Sequence, residues 1–175
     1  MSSQEIETNC GILSPRYHSG ETENRPSAKL ILFPTMPFDQ ELLSLPHGSS
    51  FRFIGEMTEL EPGKSGTGTY TVTGEEPFLD GHFPGNPMWP GVIMIESIAQ
   101  LGGIIAQCDP DHPPLADMRL TSVKNAKILG TAFPGATLTI SGSVEGRMGN
   151  LIQVKGSVSD GENVIAKAVV MLSGE

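Results

Sequence analysis

Positive charge is scarce in this 175-residue chain: 11 Lys and Arg stand against 20 Asp and Glu, for a formal net charge of -9. A surface that follows nucleic-acid phosphates or anionic lipid needs a surplus of cations, so the balance disfavours both and leaves room only for a local basic patch. Cysteine is nearly absent. Cys10 lies in a polar stretch and Cys108 near the end of an apolar one, which makes a poor disulfide framework and fits a reducing compartment. With no His or Cys at ligand spacing beside them, they give no zinc signature. No apolar run reaches the roughly 18 to 20 residues that cross a bilayer, and the first residues lack a basic-then-apolar signal pattern. The expectation is a soluble, cytoplasmic protein.

What is present is the composition of a globular chain: 38% apolar residues, 18% charged, and many turn formers, with Gly 21 and Pro 14. The length suits one domain with a continuous core. Residues 1–27, rich in Ser, Glu, Asn and Gly, read as a flexible polar leader that cannot offset the entropy of ordering, and residues 28–175 as the single domain. Phe38, Leu42, Leu43 and Leu45 fall at mostly helical spacing and end at Pro46, predicting a short helix. Phe51 and Phe53, then Tyr70 and Val72, alternate with polar neighbours around the turn-forming Glu61-Pro62-Gly63-Lys64, predicting two antiparallel strands. Pro90 to about Gln107 is the main helix. Pro suits its first turn, and apolar residues from Val92 to Ile105 wrap nearly its whole circumference, the pattern of a helix buried on all sides. The runs 118–129, 137–145 and 151–172 alternate or are β-branched and read as a strand meander. One buried helix among antiparallel strands is an α+β arrangement in which the sheet curls around the helix.

Burial makes one helix residue costly. Glu96 sits among Ile93, Met94, Ile95 and Ile98, and a buried carboxylate must be paired, hydrogen-bonded or held protonated. Glu96, Gln100, Gly103 and Gln107 share one helical stripe. Upstream, the loop from Asp80 to Gly91 is so dense in Gly and Pro that its backbone is constrained, and it carries His82. The Pro90-Gly91-Val92 helix start offers free N–H groups where the macrodipole favours negative charge. A base, a carboxyl group in an apolar setting and an anion site together suit proton abstraction beside a carbonyl. His82 would take the proton, the Gly91 N–H would stabilise the carbonyl oxygen, and a protonated Glu96 would serve a departing β-hydroxyl. Taken singly, each residue has a structural reading: a lone loop His, an ion-paired Glu, and a Gly102-Gly103 pair that permits close packing.

The string Gly81-His82-Phe83-Pro84-Gly85, then Pro90-Gly91-Val92, then Glu96-Ser97-Ile98-Ala99-Gln100 resembles the β-hydroxyacyl-acyl carrier protein dehydratases of fatty acid synthesis. The 14-residue separation of positions 82 and 96 (96 − 82) matches that family's catalytic pair, and looser similarity runs from about Leu42 to the C-terminus. The resemblance implies a hotdog fold and a dimer, with a trimer of dimers common, whose tunnel-shaped site takes His from one subunit and the acid from the other. It implies His82 and Glu96 as the catalytic pair, no metal or organic cofactor, and Phe83, Trp89, Pro90, Gly91, Val92 and Gln100 as the substrate-binding residues. Glu rather than Asp at position 96 is similar to the branch that only dehydrates. The implied partner is an acidic acyl carrier protein bearing a 3-hydroxyacyl chain, for which Arg119, Lys124 and Lys127 are the docking candidates.

The sequence departs from the family at Leu45-Pro46-His47-Gly48-Ser49-Ser50, where an aromatic or basic residue and Pro usually follow Pro-His. It departs again at Trp89, often a smaller apolar residue, and at Phe133-Pro134-Gly135-Ala136, which lacks the usual Asp. Three rivals therefore stand beside the main reading: a dehydratase of a specialised pathway, an acyl-binding subunit without activity, and a thioesterase on the same fold.

Overall fold

β-Branched residues alternating with small polar ones give this chain strands with one apolar and one polar face, and they pair into a single antiparallel sheet. The computed structural model describes Phe38, Glu41, Leu42 and residues 44–175; the leader expected over residues 1–27 lies outside them. The strands are β1 (Glu56–Glu61), β2 (Ser65–Thr71), β3 (Arg119–Ile128), β4 (Thr137–Met148), β5 (Leu151–Asp160) and β6 (Asn163–Ser173), with helix α1 (Gly91–Gln107) between β2 and β3. Their order across the sheet is β1-β2-β4-β5-β6-β3. The helix packs on β2, β3, β4, β5 and β6, so the sheet curls around it as the resemblance implies.

The core is the seam between helix and sheet. Met94, Ile98, Leu101, Ile104 and Ile105 from α1 meet Ile140, Ile152, Val154, Val158, Ala168 and Val170, all fully buried. Small residues let the helix come close: a Cβ on Gly102 would lie 2.8 Å from Val154 Cγ2. Gly103 meets only Met118 Sδ, at 3.8 Å, so close packing explains the first glycine of the pair and not the second. Among the described residues no helix is long and apolar enough to cross a membrane.

Several local expectations change. A helical turn does form near the start, with the Leu42 N–H donating to the Phe38 carbonyl at 3.2 Å, while Leu43 lies outside the described residues. Phe51 is not in a strand: it belongs to a 3-10 turn (Ser49–Phe51), and the first strand opens only at Glu56. The expected turn is in place, with the Lys64 N–H bonded to the Glu61 carbonyl at 2.9 Å and Gly63 at φ 73, the backbone that a Pro-Gly type II turn requires. The run 151–172 is two strands. Asp160 pairs with Asn163 across a Gly161-Glu162 loop whose Gly161 has φ 56, and the polar run Ser159-Asp160-Gly161-Glu162-Asn163, with its Asp-Gly turn signal, is the break that reading 151–172 as one run passed over. Finally, the terminal strands are not a simple meander: β3 crosses to the far edge and pairs with β6.

The helix is not buried on all sides. Val92 is 72% exposed, and Gly91, Ile93, Ile95 and Glu96 are only partly covered. Leu120, Val123 and Ile128 on edge strand β3 lie opposite the buried Leu172, Val170 and Ala166 of β6, hence on the core side of the sheet, yet they are 37%, 43% and 48% exposed. The apolar surface continues past the end of the chain's own core.

Candidate active site

His82 ends a 3-10 turn, Pro77–Gly81, and its place is fixed by a reciprocal clasp with Met88. The Met88 N–H donates to the His82 carbonyl at 3.1 Å, and His82 Nδ1 lies 2.8 Å from the Met88 carbonyl oxygen. A carbonyl only accepts, so Nδ1 carries the proton and a neutral ring presents Nε2 as a bare base. The Gly- and Pro-rich loop is thereby closed on itself, and the Trp89 N–H, bonded to the Ala132 carbonyl at 2.8 Å, ties it to the segment before β4. Phe83 is exposed, its ring 4.6 Å from that of His82.

Glu96 is partly exposed and well partnered. Gln100, one turn on, donates from Nε2 to Glu96 Oε1 at 3.1 Å, and His47 Nε2 stands 3.6 Å from the same oxygen. Of the three states open to this carboxyl from sequence, the structure shows it hydrogen-bonded, with the His47 ring close beside it. Gln100 is itself buried, and its amide is spent on the protein: Oε1 accepts from the Phe53 N–H at 2.8 Å, and Nε2 donates also to the Phe51 carbonyl at 3.0 Å. Its two N–H donors and its oxygen thus each have a partner within the chain. His47 is the neighbour that sequence reasoning missed. It lies 49 residues from Glu96 (96 − 47), in the stretch singled out only as a departure from the family; a carboxylate without a sequence-local cation was the sole signal for it.

At the head of α1, the N–H groups of Ile93 and Met94 both bond to the Pro90 carbonyl, so Gly91 and Val92 supply the free donors of the first turn. A Cβ at Gly91 would lie 2.9 Å from Ile128 Cγ1, which reserves that position for glycine. Trp89 is packed edge-on to Phe53 (5.8 Å between centroids) and beside Tyr70 (5.1 Å) and Phe78 (5.3 Å). Among the described contacts its role is core packing. Within the single chain no hydrogen bond or ion pair among the described residues joins His82 to Glu96.

The three basic candidates gather on one face. Bulges in β3 leave Arg119, Lys124 and Lys127 opposite Ser173, Val169 and Lys167 of β6, positions an even number of residues apart, so all three point away from the core. Lys127 opens onto a sheet groove that it shares with Lys155 and Lys167, two cations that sequence reading had not placed beside it. Tyr70 and Glu76 buttress the aromatic cluster from below. Burial raises the Glu76 carboxyl, but hydrogen bonds from the N–H groups of Thr73 and Gly74 (each 2.9 Å) and from the Tyr70 hydroxyl (3.1 Å) outweigh it and hold its pKa below the usual range. The Tyr70 phenol, desolvated and next to Glu76, is pushed up to about 12.

Comparison by sequence finds a FabA-like domain over residues 45–169, most of the chain and all of the site just described. The chain belongs to the FabA-like family. Among curated relatives of this FabA-like chain, the 3-hydroxyacyl-(acyl-carrier-protein) dehydratase FabZ of Anaplasma phagocytophilum is 36% identical over 117 residues, covering 66% of this chain and 81% of the relative. The FabZ of Geotalea uraniireducens is 38% identical over 106 residues, 60% of this chain and 73% of the relative. The fold alone extends further: the dehydratase heterocomplex ApeI:P from Xenorhabdus doucetiae superposes with a TM-score of 0.66 over 81% of this chain and 92% of that one, at 17% identity. The hotdog fold is thus the fold of this chain.

Proposed function

We propose that this FabA-like chain removes water from 3-hydroxyacyl thioesters carried on acyl carrier protein, giving the trans-2-enoyl thioester in fatty acid or related lipid synthesis. The observation that carries the reading is the 2.8 Å bond from His82 Nδ1 to the Met88 carbonyl, because it leaves Nε2 as the base. Nε2 takes the proton from the carbon next to the thioester carbonyl. Negative charge then grows on the carbonyl oxygen, and the Gly91 N–H, at the positive end of α1, stabilises it. Glu96 delivers a proton to the β-hydroxyl, which leaves as water. Each step is a proton transfer or a bond cleavage that these groups serve, and the reverse sequence hydrates the enoyl product.

The working unit is a pair of chains, in which His82 acts with Glu96 of the partner subunit. Two observations support this. His82 and Glu96 have separate partners within one chain, and the exposed apolar strip of Leu120, Val123, Ile128 and Val92 lies on an edge strand and helix start next to the site. A bare edge of that kind is a template for pairing with another strand. The carrier protein, being acidic, meets the outward-facing Arg119, Lys124 and Lys127.

The test is direct. Purified protein is incubated with a 3-hydroxyacyl-carrier protein and, separately, with the enoyl thioester, and enoyl absorbance and product mass are followed. Turnover in both directions that falls at least about 10²-fold in His82→Ala and in Glu96→Gln, with folding and assembly intact, supports the assignment. Binding of acyl chains without turnover at any chain length refutes it.

A further inference from the structure

Two nitrogen groups converge on a single oxygen of Glu96. Gln100 Nε2 donates to Oε1 at 3.1 Å and His47 Nε2 stands 3.6 Å from it, while among the described residues no group donates to Oε2. We propose that His47 is a positioning residue of this carboxyl group: with Gln100 it holds Oε1, so that Oε2 is the oxygen that carries the acid proton to the departing hydroxyl. This rests on the acid–base role assigned above to Glu96.

The chemistry follows from which atoms are occupied. An oxygen that already accepts from an amide N–H is the poorer place for a proton, so the protonated acid carries its hydrogen on Oε2. In the elimination that proton passes to the β-hydroxyl oxygen as the C–O bond breaks, and the electron pair of the abstracted C–H bond becomes the new double bond. The proton taken up by His82 returns to Glu96 through solvent before the next turnover. A carboxyl held by one oxygen cannot rotate to offer the other, which removes an orientation the acid would otherwise sample.

The imidazole is built to face Glu96 in one way. Its Nδ1 is buried with no hydrogen-bond partner; an orphaned N–H there costs more than an orphaned lone pair, so the neutral ring keeps its proton on Nε2, directed at the carboxylate. The 3.6 Å separation is a few tenths of an ångström beyond a hydrogen bond, and contacts of this kind tighten when substrate arrives. The backbone around His47 is fixed from two sides. Arg52 donates from Nε to the His47 carbonyl at 2.8 Å and from a terminal nitrogen to the Leu45 carbonyl at 3.3 Å, and Gln100 clamps Phe51 and Phe53. Thus the stretch that departs from the family pattern after its Pro-His still sets its histidine on the acid.

The experiment measures kcat and KM for wild type, His47→Ala, His47→Gln and Glu96→Gln, and reads the imidazole nitrogens of labelled wild type and Glu96→Gln by NMR. His47→Ala is expected to lower kcat about tenfold with KM within about twofold, and His47→Gln, whose amide donates to Oε1 without titrating, to recover most of the loss. The His47 signals are expected to show the Nε2–H form and to move in Glu96→Gln. An unchanged kcat in His47→Ala, a loss confined to KM, no recovery in His47→Gln, or an Nδ1–H ring would each overturn the proposal. If instead wild type fails to eliminate water, or Glu96→Gln still does so, the acid–base reading is what has failed, and the nitrogen signals alone decide whether His47 directs Nε2–H at Glu96.

Discussion

Replacing Gln100 by Leu separates what holds the fold from what prepares the acid. The two side chains are of similar size, so little volume is lost, but three hydrogen bonds go: one accepted from the Phe53 N–H at 2.8 Å and two donated, to the Phe51 carbonyl at 3.0 Å and to Glu96 Oε1 at 3.1 Å. Phe53 is buried, so its N–H is left without an acceptor, at a cost of about 1–3 kcal/mol. Phe51 and Glu96 are partly open to water, which replaces most of what they lose. The expected stability loss is therefore about 2 kcal/mol in urea unfolding at fixed protein concentration, with an unchanged m-value. The carboxyl, free to turn, should lose about tenfold or more in kcat. Gln100→Glu supplies the contrast: it keeps an acceptor for the Phe53 N–H but sets a second carboxylate against Glu96, so it should cost more in kcat than in stability. A Gln100→Leu variant of wild-type stability would refute the buried-bond argument, and one of wild-type kcat would refute the claim that Gln100 orients the acid.

Four further outcomes are expected. Gly103→Ala should stabilise the protein by up to about 1 kcal/mol through helix propensity, since only Met118 Sδ at 3.8 Å meets the new methyl. Gly102→Ala should destabilise it relative to Gly103→Ala by about 1–3 kcal/mol, because the added methyl meets Val154 Cγ2 at 2.8 Å in a filled core; equal unfolding midpoints would contradict this. Glu76, whose pKa is lowered from its 4.5 reference value by its hydrogen bonds against the opposing effect of burial, contributes stability that is fully present above the unfolded value and lost as pH falls through the folded one. Glu76→Ala should accordingly be less stable than wild type at neutral pH, by about 1–3 kcal/mol, with a gap that narrows below about pH 4, as read from midpoints at each pH. Mixing inactive His82→Ala with inactive Glu96→Gln and allowing subunits to exchange should restore about a quarter of wild-type activity, since half the pairs then hold one complete site. No recovery despite proven exchange would place both residues of the site in one chain.

The parts of the fold that were legible in the sequence are those written in local periodicity and turn chemistry. Pro90 to Gln107 reads as a helix because apolar residues recur around it and proline opens it, and Glu61 to Lys64 reads as a turn because Pro-Gly leaves few alternatives. What stayed hidden is long-range. Nothing in the run 119–128 says that it will cross the sheet to pair with β6, and Phe51, with strand-like neighbours, is drawn into a 3-10 turn by the hydrogen bonds of its backbone to Gly48 and Gln100. The site divides in the same way. His82 and Glu96 lie in a short string dense with unusual residues, so they could be singled out, whereas His47 meets Glu96 only after the chain has folded and carries no mark of its own. Gln100 enters the site through the family resemblance, and only the folded chain shows its amide held by partners 47 and 49 residues away.

The misreading of α1 as covered on every side is instructive about the assembly. Its sequence carries apolar residues around the whole circumference, yet in one chain the sheet covers only one side of the helix start, burying Met94 and leaving Val92 72% exposed beside the partly bare edge of β3. Exposed apolar surface at a helix start and on the core side of an edge strand has the same physical cure, burial against another surface of like shape. A second copy related by a two-fold axis offers that surface, because an edge strand can pair with itself in antiparallel register. Such pairing would bring two helix starts together, each with its Gly91 N–H and each one turn ahead of a Glu96, and set the His82 loop of one chain beside the carboxyl of the other. In the proposed pair, the apolar excess of the helix start and the lack of a bond between His82 and Glu96 within one chain would have a single cause, a sequence patterned for the core of two chains.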